Sequence, residues 1–243
     1  MKSLQRAVAV ALVVGAGLAA GFASYRLQSE RHSPPVPGEL DSPAAASGIA
    51  LPGSDAEPGS AAAPAPPSRP VPSTVPDLAL PDLTGATRTL RSFSGRPLII
   101  NFWATWCAPC RREIPLLREL RERYRGERLE IVGIAVDVGS AVQEYLRHTP
   151  IDYPVLVGEQ QGLEAAAQFG MDTVLPFSVF ADGQGRIVAL KIGELHRDEA
   201  DFILTQMRAL AAGQVNMAQA RSQIASRLRE LAVDRAKAQQ NSG

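Results

Sequence analysis

The chain has 243 residues, 45% of them hydrophobic, and 25 Lys and Arg balance 25 Asp and Glu. A net charge of zero argues against whole-chain electrostatic binding to nucleic acid or acidic lipid. Two cysteines alone, Cys107 and Cys110, exclude a disulfide-stapled mini-protein and a multi-cysteine zinc or iron–sulfur site.

Lys2 and Arg6 precede an uncharged run from Ala7 to Tyr25, and Arg26 and Arg31 follow it. As a helix this run would span about 28 Å, close to the hydrocarbon core of a bilayer. Residues 1–31 therefore read as a membrane anchor or signal segment, with Met1 kept in the cytoplasm and the rest exported. The length of the run favours an anchor retained through residues 7–25. The alternative is a cleaved signal, for which Gly21-Phe22-Ala23 is a weak cleavage match. No cysteine directly follows the run, which excludes a bacterial lipoprotein.

Twelve of the 19 prolines lie between Pro34 and Pro76. Residues 32–76 are rich in Pro, Ala, Gly and Ser and bury too little to offset the entropy of ordering them, so they read as a disordered tether. The pattern changes at Asp77. Leu78, Leu80 and Leu83 begin an N-terminal extension around Gly85. Pro97–Trp103 is a continuous apolar run, as a strand buried on both faces requires. Residues 108–125 carry Ile114, Leu117, Leu120 and Tyr124 at helical spacing, with Pro115 inside the pattern as an expected kink. Leu129–Val136 predicts a second buried strand and Ala141–Arg147 a short helix. Tyr153–Val157 predicts a strand and Leu163–Phe169 a helix. Phe177–Ala181 and Arg186–Leu190 predict strands joined by the turn Asp182-Gly183-Gln184-Gly185. Arg197–Leu210 predicts a further helix. This order describes an α/β domain over 77–211, with a mixed sheet flanked by helices. Residues 212–243 carry Met217, Ile224, Leu228 and Leu231 among basic residues and read as an amphipathic helix. Docking onto its own domain is favoured over a partner or a membrane surface.

Trp106-Cys107-Ala108-Pro109-Cys110 follows the first buried strand and opens the long helix. A thiol there faces unpaired backbone N–H groups and the positive end of the helix dipole. Its thiolate is stabilised, so Cys107 is the expected nucleophile. Cys110 falls one turn deeper, within disulfide reach. Pro109 lacks an N–H that the first turn would leave unpaired in any case, and Trp106 is expected to shield one side of the sulfur. Three other readings compete. A structural disulfide this short constrains the unfolded chain little. A metal site needs more ligands than the widely separated His32, His148 and His196 supply. A peroxide-reducing site would carry threonine where Ala104 stands.

The segment Asn101-Phe-Trp-Ala-Thr-Trp-Cys-Ala-Pro-Cys110, followed by Glu113 and Pro115, resembles the active-site region of thioredoxin-fold proteins of the TlpA/ResA type. These are exported, usually membrane-anchored thiol–disulfide oxidoreductases. The resemblance covers about residues 77–211. It implies a thioredoxin fold with an N-terminal strand extension and an extra C-terminal helix. It also implies that Cys107 attacks a substrate disulfide and Cys110 resolves the mixed disulfide. Val174-Leu175-Pro176 resembles the place where this fold carries a cis-proline facing the dithiol. There the Pro176 ring would keep other ligands from the sulfurs, and the Leu175 backbone would pair with a substrate peptide beside Trp106. Relatives mostly have Thr where this chain has Phe177, which bears on the shape of the substrate groove. Thioredoxin itself has a buried aspartate at the place of Asn101, which cannot transfer a proton. The resemblance assigns that role to Glu113, a carboxyl one turn beyond Cys110; the alternative is a solvated charge paired with Arg112 or Arg118.

The expected function is therefore reduction of disulfides in specific exported proteins, with cytochrome c or copper-site maturation as the settings the resemblance implies. The expected location is the periplasmic side of a bacterial inner membrane, or the soluble periplasm if the signal is cleaved. The implied partners are substrate proteins with disulfides and a membrane electron donor, with no nucleic acid and no cofactor or metal beyond the Cys107–Cys110 pair. The alternatives are a disulfide-introducing oxidase and, from another class, a metal-delivery or binding module.

Overall fold

The structure is a computed structural model that describes residues 69–172 and 174–241. The anchor or signal segment at 1–31 and the tether up to residue 68 lie outside the described residues. Among the described residues there are seven strands: β1 (Ala79–Pro81), β2 (Thr87–Thr89), β3 (Leu98–Trp103), β4 (Glu130–Ala135), β5 (Val155–Val157), β6 (Phe177–Ala181) and β7 (Ile187–Ile192). Five α-helices accompany them: α1 (Ala108–Arg123), α2 (Gly139–His148), α3 (Glu159–Gln168), α4 (Arg197–Ala211) and α5 (Met217–Gln240).

Five strands form one sheet in the order β5-β4-β3-β6-β7. β3 pairs in parallel with β4, and β4 with β5, whereas β6 runs antiparallel to both β3 and β7. Every residue of β3, β4, β5 and β6 is buried, which is why these strands read as unbroken apolar runs. β1 and β2 form a separate antiparallel hairpin, the expected N-terminal extension. This is the thioredoxin-like α/β arrangement.

Strand alternation sorts the core into layers. Ile100, Phe102, Val132, Ile134, Phe177 and Val179 face α3 and the hairpin leucines Leu78 and Leu80. Ile99, Ile131 and Phe180 face the other way, onto Leu117 and Leu120 of α1 and onto α4. A third cluster joins Trp103, Ala135 and Val142 of α2 to Cys107, Cys110 and Ile114. The side chain of Phe177 lies flat on Phe102, with ring centroids 4.3 Å apart. It therefore belongs to the layer beneath the sheet. The residue after Pro176 thus points to the face opposite α1.

Element limits differ from the expected ones for local reasons. The ordered domain reaches back beyond Asp77 into the segment expected to be tether. Ile187 donates its N–H to Ser73, Val75 donates to Gly185, and Val71 and Val75 pack on the core. Pairing to the edge of β7 orders these residues despite their proline content. α1 runs unbroken through Pro115 and stops at Arg123, since Tyr124 leaves the helical region at φ −101° and ψ 19°. α3 begins four residues before the first expected position, directly after Gly158. The 181–187 turn forms as expected: the Asp182 side chain accepts the N–H groups of Gln184 and Arg186, and Gly185 takes the left-handed φ of +75°. β7 extends to Ile192, which brings Lys191 into the sheet.

α5 docks on its own domain. Ala220, Ile224 and Leu231 are its buried residues, Met217 and Leu228 pack beside them, and the Arg221 guanidinium donates to the Ile187 carbonyl. Asn216 caps it reciprocally with Gln219.

Candidate active site

Cys107 is the N-cap residue of α1 and Cys110 lies in its first turn. β3 ends at Trp103, so chain reversal between β3 and α1 delivers the Cys-Ala-Pro-Cys segment to the carboxyl edge of the sheet. A buried carboxylate braces this bend: Asp137 accepts both the N–H and the hydroxyl of Thr105, at 2.9 and 2.6 Å. No motif marked Asp137 beforehand. The only signal was an acidic residue at the end of a buried strand.

The two cysteines are joined as a disulfide with their Cα atoms 5.3 Å apart. The Cys110 N–H points at the Cys107 sulfur at 3.3 Å, as an N-cap acceptor should receive it. Cys107 retains 6% exposure and Cys110 none. Trp106 stands beside them 69% exposed, on the surface rather than folded over the sulfur. Leu175 packs against the cluster that contains both cysteines. The Leu175–Pro176 bond is cis, and the Pro176 carbonyl accepts the Gly193 N–H at 2.8 Å. The structure thus brings Trp106, Cys107, Cys110 and Leu175 with its Pro176 to one end of the sheet.

Glu113 is 1% exposed, on the same buried face of α1 as Cys110, Ile114, Leu117 and Leu120. It is not a solvated charge: Arg112 pairs with Glu194 and Arg118 with Asp152. Its Oε1 accepts Asn101 Nδ2 at 2.6 Å, and its Oε2 accepts the Leu195 N–H at 2.6 Å. Asn101 also donates to Ser178 Oγ at 3.1 Å. Burial pushes the Glu113 carboxyl up to about 7, against the opposing pull of the Leu195 amide, Asn101 and the charge of Lys191. At neutral pH it is therefore poised between donor and acceptor. Leu195 was not legible as a partner, because its contribution is a backbone N–H from a turn 82 residues away.

A cysteine at a helix N-terminus with a small exposed edge, above a fully buried one, defines a dithiol–disulfide exchange centre in a thioredoxin-like fold. A sequence profile of the AhpC/TSA family matches residues 71–190. The thiol-disulfide oxidoreductase ResA of Geobacillus kaustophilus (strain HTA426) is 31% identical over 139 residues, covering 56% of this chain and 77% of that relative. ResA of Geobacillus thermodenitrificans (strain NG80-2) is 31% identical over 130 residues, covering 52% and 72%. Among solved structures, a putative thiol:disulfide interchange protein DsbE from Chlorobium tepidum superposes with a TM-score of 0.51 at 24% identity, covering 58% of this chain and 97% of that one. A thioredoxin family thiol:disulfide interchange protein from Chlorobium tepidum TLS gives 0.50 at 27% identity, covering 57% and 98%. The chain belongs to the ResA family of thioredoxin-like thiol–disulfide oxidoreductases.

The unequal exposure of the two sulfurs has a direct consequence. In the reduced protein near neutral pH, Cys107 is expected to be alkylated rapidly and Cys110 slowly, because only Cys107 combines access with helix N-terminal stabilisation of its thiolate. Mass mapping after a short pulse of iodoacetamide reads this out. Preferential labelling of Cys110 would reverse the two roles.

Proposed function

We propose that the chain is an exported reductase of protein disulfides, held at the periplasmic face of the inner membrane by residues 7–25. The Cys107 thiolate attacks one sulfur of a substrate disulfide. A Cys107–substrate disulfide forms and one substrate thiolate leaves. Cys110 then gives its proton to Glu113 and attacks the Cys107 sulfur. The second substrate thiolate departs, and two electrons have passed to the substrate. The resulting Cys107–Cys110 disulfide is reopened by electrons from a membrane donor. Leu175, before Pro176, offers its backbone to an extended substrate segment, and Trp106 gives that segment an apolar contact. Cytochrome c or copper-site maturation is the setting we propose for the substrates.

The direction of transfer rests on one observation. Ala108 and Pro109 carry no side-chain donor or charge, so the helix end alone stabilises the Cys107 thiolate, while the buried carboxyl of Glu113 stands behind Cys110. A strong oxidant needs its reduced form stabilised, and little here does so. Equilibration of the full chain with defined thiol–disulfide buffers is expected to give a potential near that of thioredoxin, about −270 mV. A value near about −120 mV would make the protein a disulfide-introducing oxidase instead.

A further inference from the structure

Helix α5 begins beyond the stretch matched by the family profile, yet its Arg235 reaches Glu199, which in turn lies against Lys191. The path starts in the sheet. Lys191 on β7 stands opposite Ser178 on β6, and Ser178 stands opposite Asn101 on β3. Directly opposed residues share a face of the sheet. Lys191 therefore leaves the sheet on the side where Asn101 holds Glu113, with two strand spacings, roughly 10 Å, between their backbones. Its side chain is only 14% exposed. The ammonium donates to the Ile192 carbonyl at 2.8 Å and lies 3.6 Å from Glu199 Oε2.

Glu199, in the first turn of α4, is 1% exposed. It accepts the His196 N–H at 3.0 Å and is gripped from the far side by the Arg235 guanidinium of α5. Arg235 also donates to both carboxylate oxygens of Asp198, at 3.2 and 3.1 Å. Consecutive backbone amides thus serve two buried carboxylates: Leu195 donates to Glu113 and His196 to Glu199. The sheet places the largely covered Lys191 ammonium against Glu199 and on the Glu113 side of the strands.

We propose that Lys191 and Arg235 are positioning residues for Glu113. Lys191 sets the proton affinity of Glu113 from across the sheet, and Arg235 occupies Glu199 so that the Lys191 charge is not spent on Glu199 alone. The C-terminal helix is by this account part of the proton machinery of the dithiol. The proposal rests on reading Glu113 as the base for Cys110.

The groups facing Glu113 have opposed effects. On its own helix, Arg112 is bound to Glu194, and the negative charge of Glu194 raises the proton affinity of Glu113. From β7, Lys191 lowers it. Ahead of β5, Tyr153 presents a buried phenol whose ionisation burial suppresses, so it stays neutral. From α4, Glu199 competes for Lys191, and from α5 Arg235 offsets Glu199. Burial draws the proton affinity of Lys191 downward while Glu199 restores it. Removing Arg235 leaves Glu199 with Lys191 as its ion-pair partner among the described residues. Partly buried charges are screened less than exposed ones, so these balances persist inside the domain.

The test is the titration of the Glu113 side-chain carboxyl in the full chain in detergent, followed by carbon-13 NMR and assigned by its loss in Glu113→Gln. The reduction rate of a peptide disulfide is measured across the same pH range. Lys191→Met is expected to raise the carboxyl midpoint by about one pH unit, and Lys191→Arg to keep most of the wild-type value. Arg235→Met is expected to raise it by a smaller step, which Arg235→Lys reverses. An unmoved carboxyl midpoint in folded Lys191→Met, or in folded Arg235→Met should Lys191→Met not fold, would overturn the proposal. A moved midpoint with an unmoved pH–rate profile would uphold the coupling and reject Glu113 as the base.

Discussion

Cys110→Ser is expected to abolish turnover and to leave the protein covalently joined to its substrate through Cys107. Cys107 has the access and the helix-terminal amides needed to attack. Cys110 is fully buried beneath it, so an incoming disulfide meets Cys107 first. A serine hydroxyl at position 110 cannot displace the substrate sulfur, because its oxygen is not ionised at neutral pH and gains no S–S bond. The mixed disulfide then has no intramolecular exit and waits for an external thiol. The readout is a mass increase equal to one substrate chain on a non-reducing gel, reversed by reductant. Cys107→Ser is expected to form no such adduct. An adduct with Cys107→Ser and none with Cys110→Ser would exchange the roles of the two cysteines. Used as bait in a lysate, the same variant identifies the substrate.

Glu113→Gln is expected to slow disulfide reduction at least about 10-fold near pH 7 and to make the domain more stable at alkaline pH. The kinetic effect follows from the buried Cys110 thiol, whose apolar surroundings oppose ionisation, and from the nearby carboxyl poised at about 7. Gln keeps the size and can still accept the Leu195 N–H, but it cannot take the proton. The wild-type rate should rise with pH as Glu113 ionises, and the variant should lack that rise until hydroxide substitutes at higher pH. Equal rates from pH 6 to 9 would show Glu113 to be a bystander.

The stability effect has the opposite sign. Burial raises the folded carboxyl from 4.5 to about 7, so the folded state holds a proton that the unfolded chain has released. Native stability is highest below about 4.5 and falls as pH rises through about 7, where the buried group must ionise. The difference amounts to roughly 3 kcal/mol above pH 7. Gln removes that penalty. Its amide meets the donor Nδ2 of Asn101, so the Asn101 amide must turn over to present Oδ1, which has no partner in the present arrangement. Urea unfolding at pH 5 and pH 8 measures the effect: wild type should lose stability over that interval relative to the variant. A constant difference between the two proteins would place the Glu113 titration outside this range.

Much of the fold was legible because its signals are local. β3, β4 and β6 are buried on both faces and appear as continuous apolar runs. The Asp182–Gly185 turn is written in residues that favour φ above zero and side-chain capping of backbone N–H groups. Cys107 and Cys110 could be assigned because a helix N-terminus lies within a few residues of them. The ordered segment before Asp77 was not legible, because its order comes from pairing with β7 more than a hundred residues later. Its own composition argues for a tether.

The sequence by itself determined the mixed α/β class and the dithiol at a helix N-terminus, since each depends on residue type and on spacing within one element, and the family resemblance made Glu113 a candidate. Tertiary structure decided what surrounds that carboxyl. Asn101, the Leu195 amide and Lys191 come to Glu113 from β3, the turn before α4 and β7. It also decided that Phe177 packs beneath the sheet and that Arg235 closes on Glu199. The physical reason is the same in each case. A carboxyl's proton affinity depends on its burial and on charges within a few ångströms, and those neighbours are chosen by the crossing of strands and helices far apart in the chain.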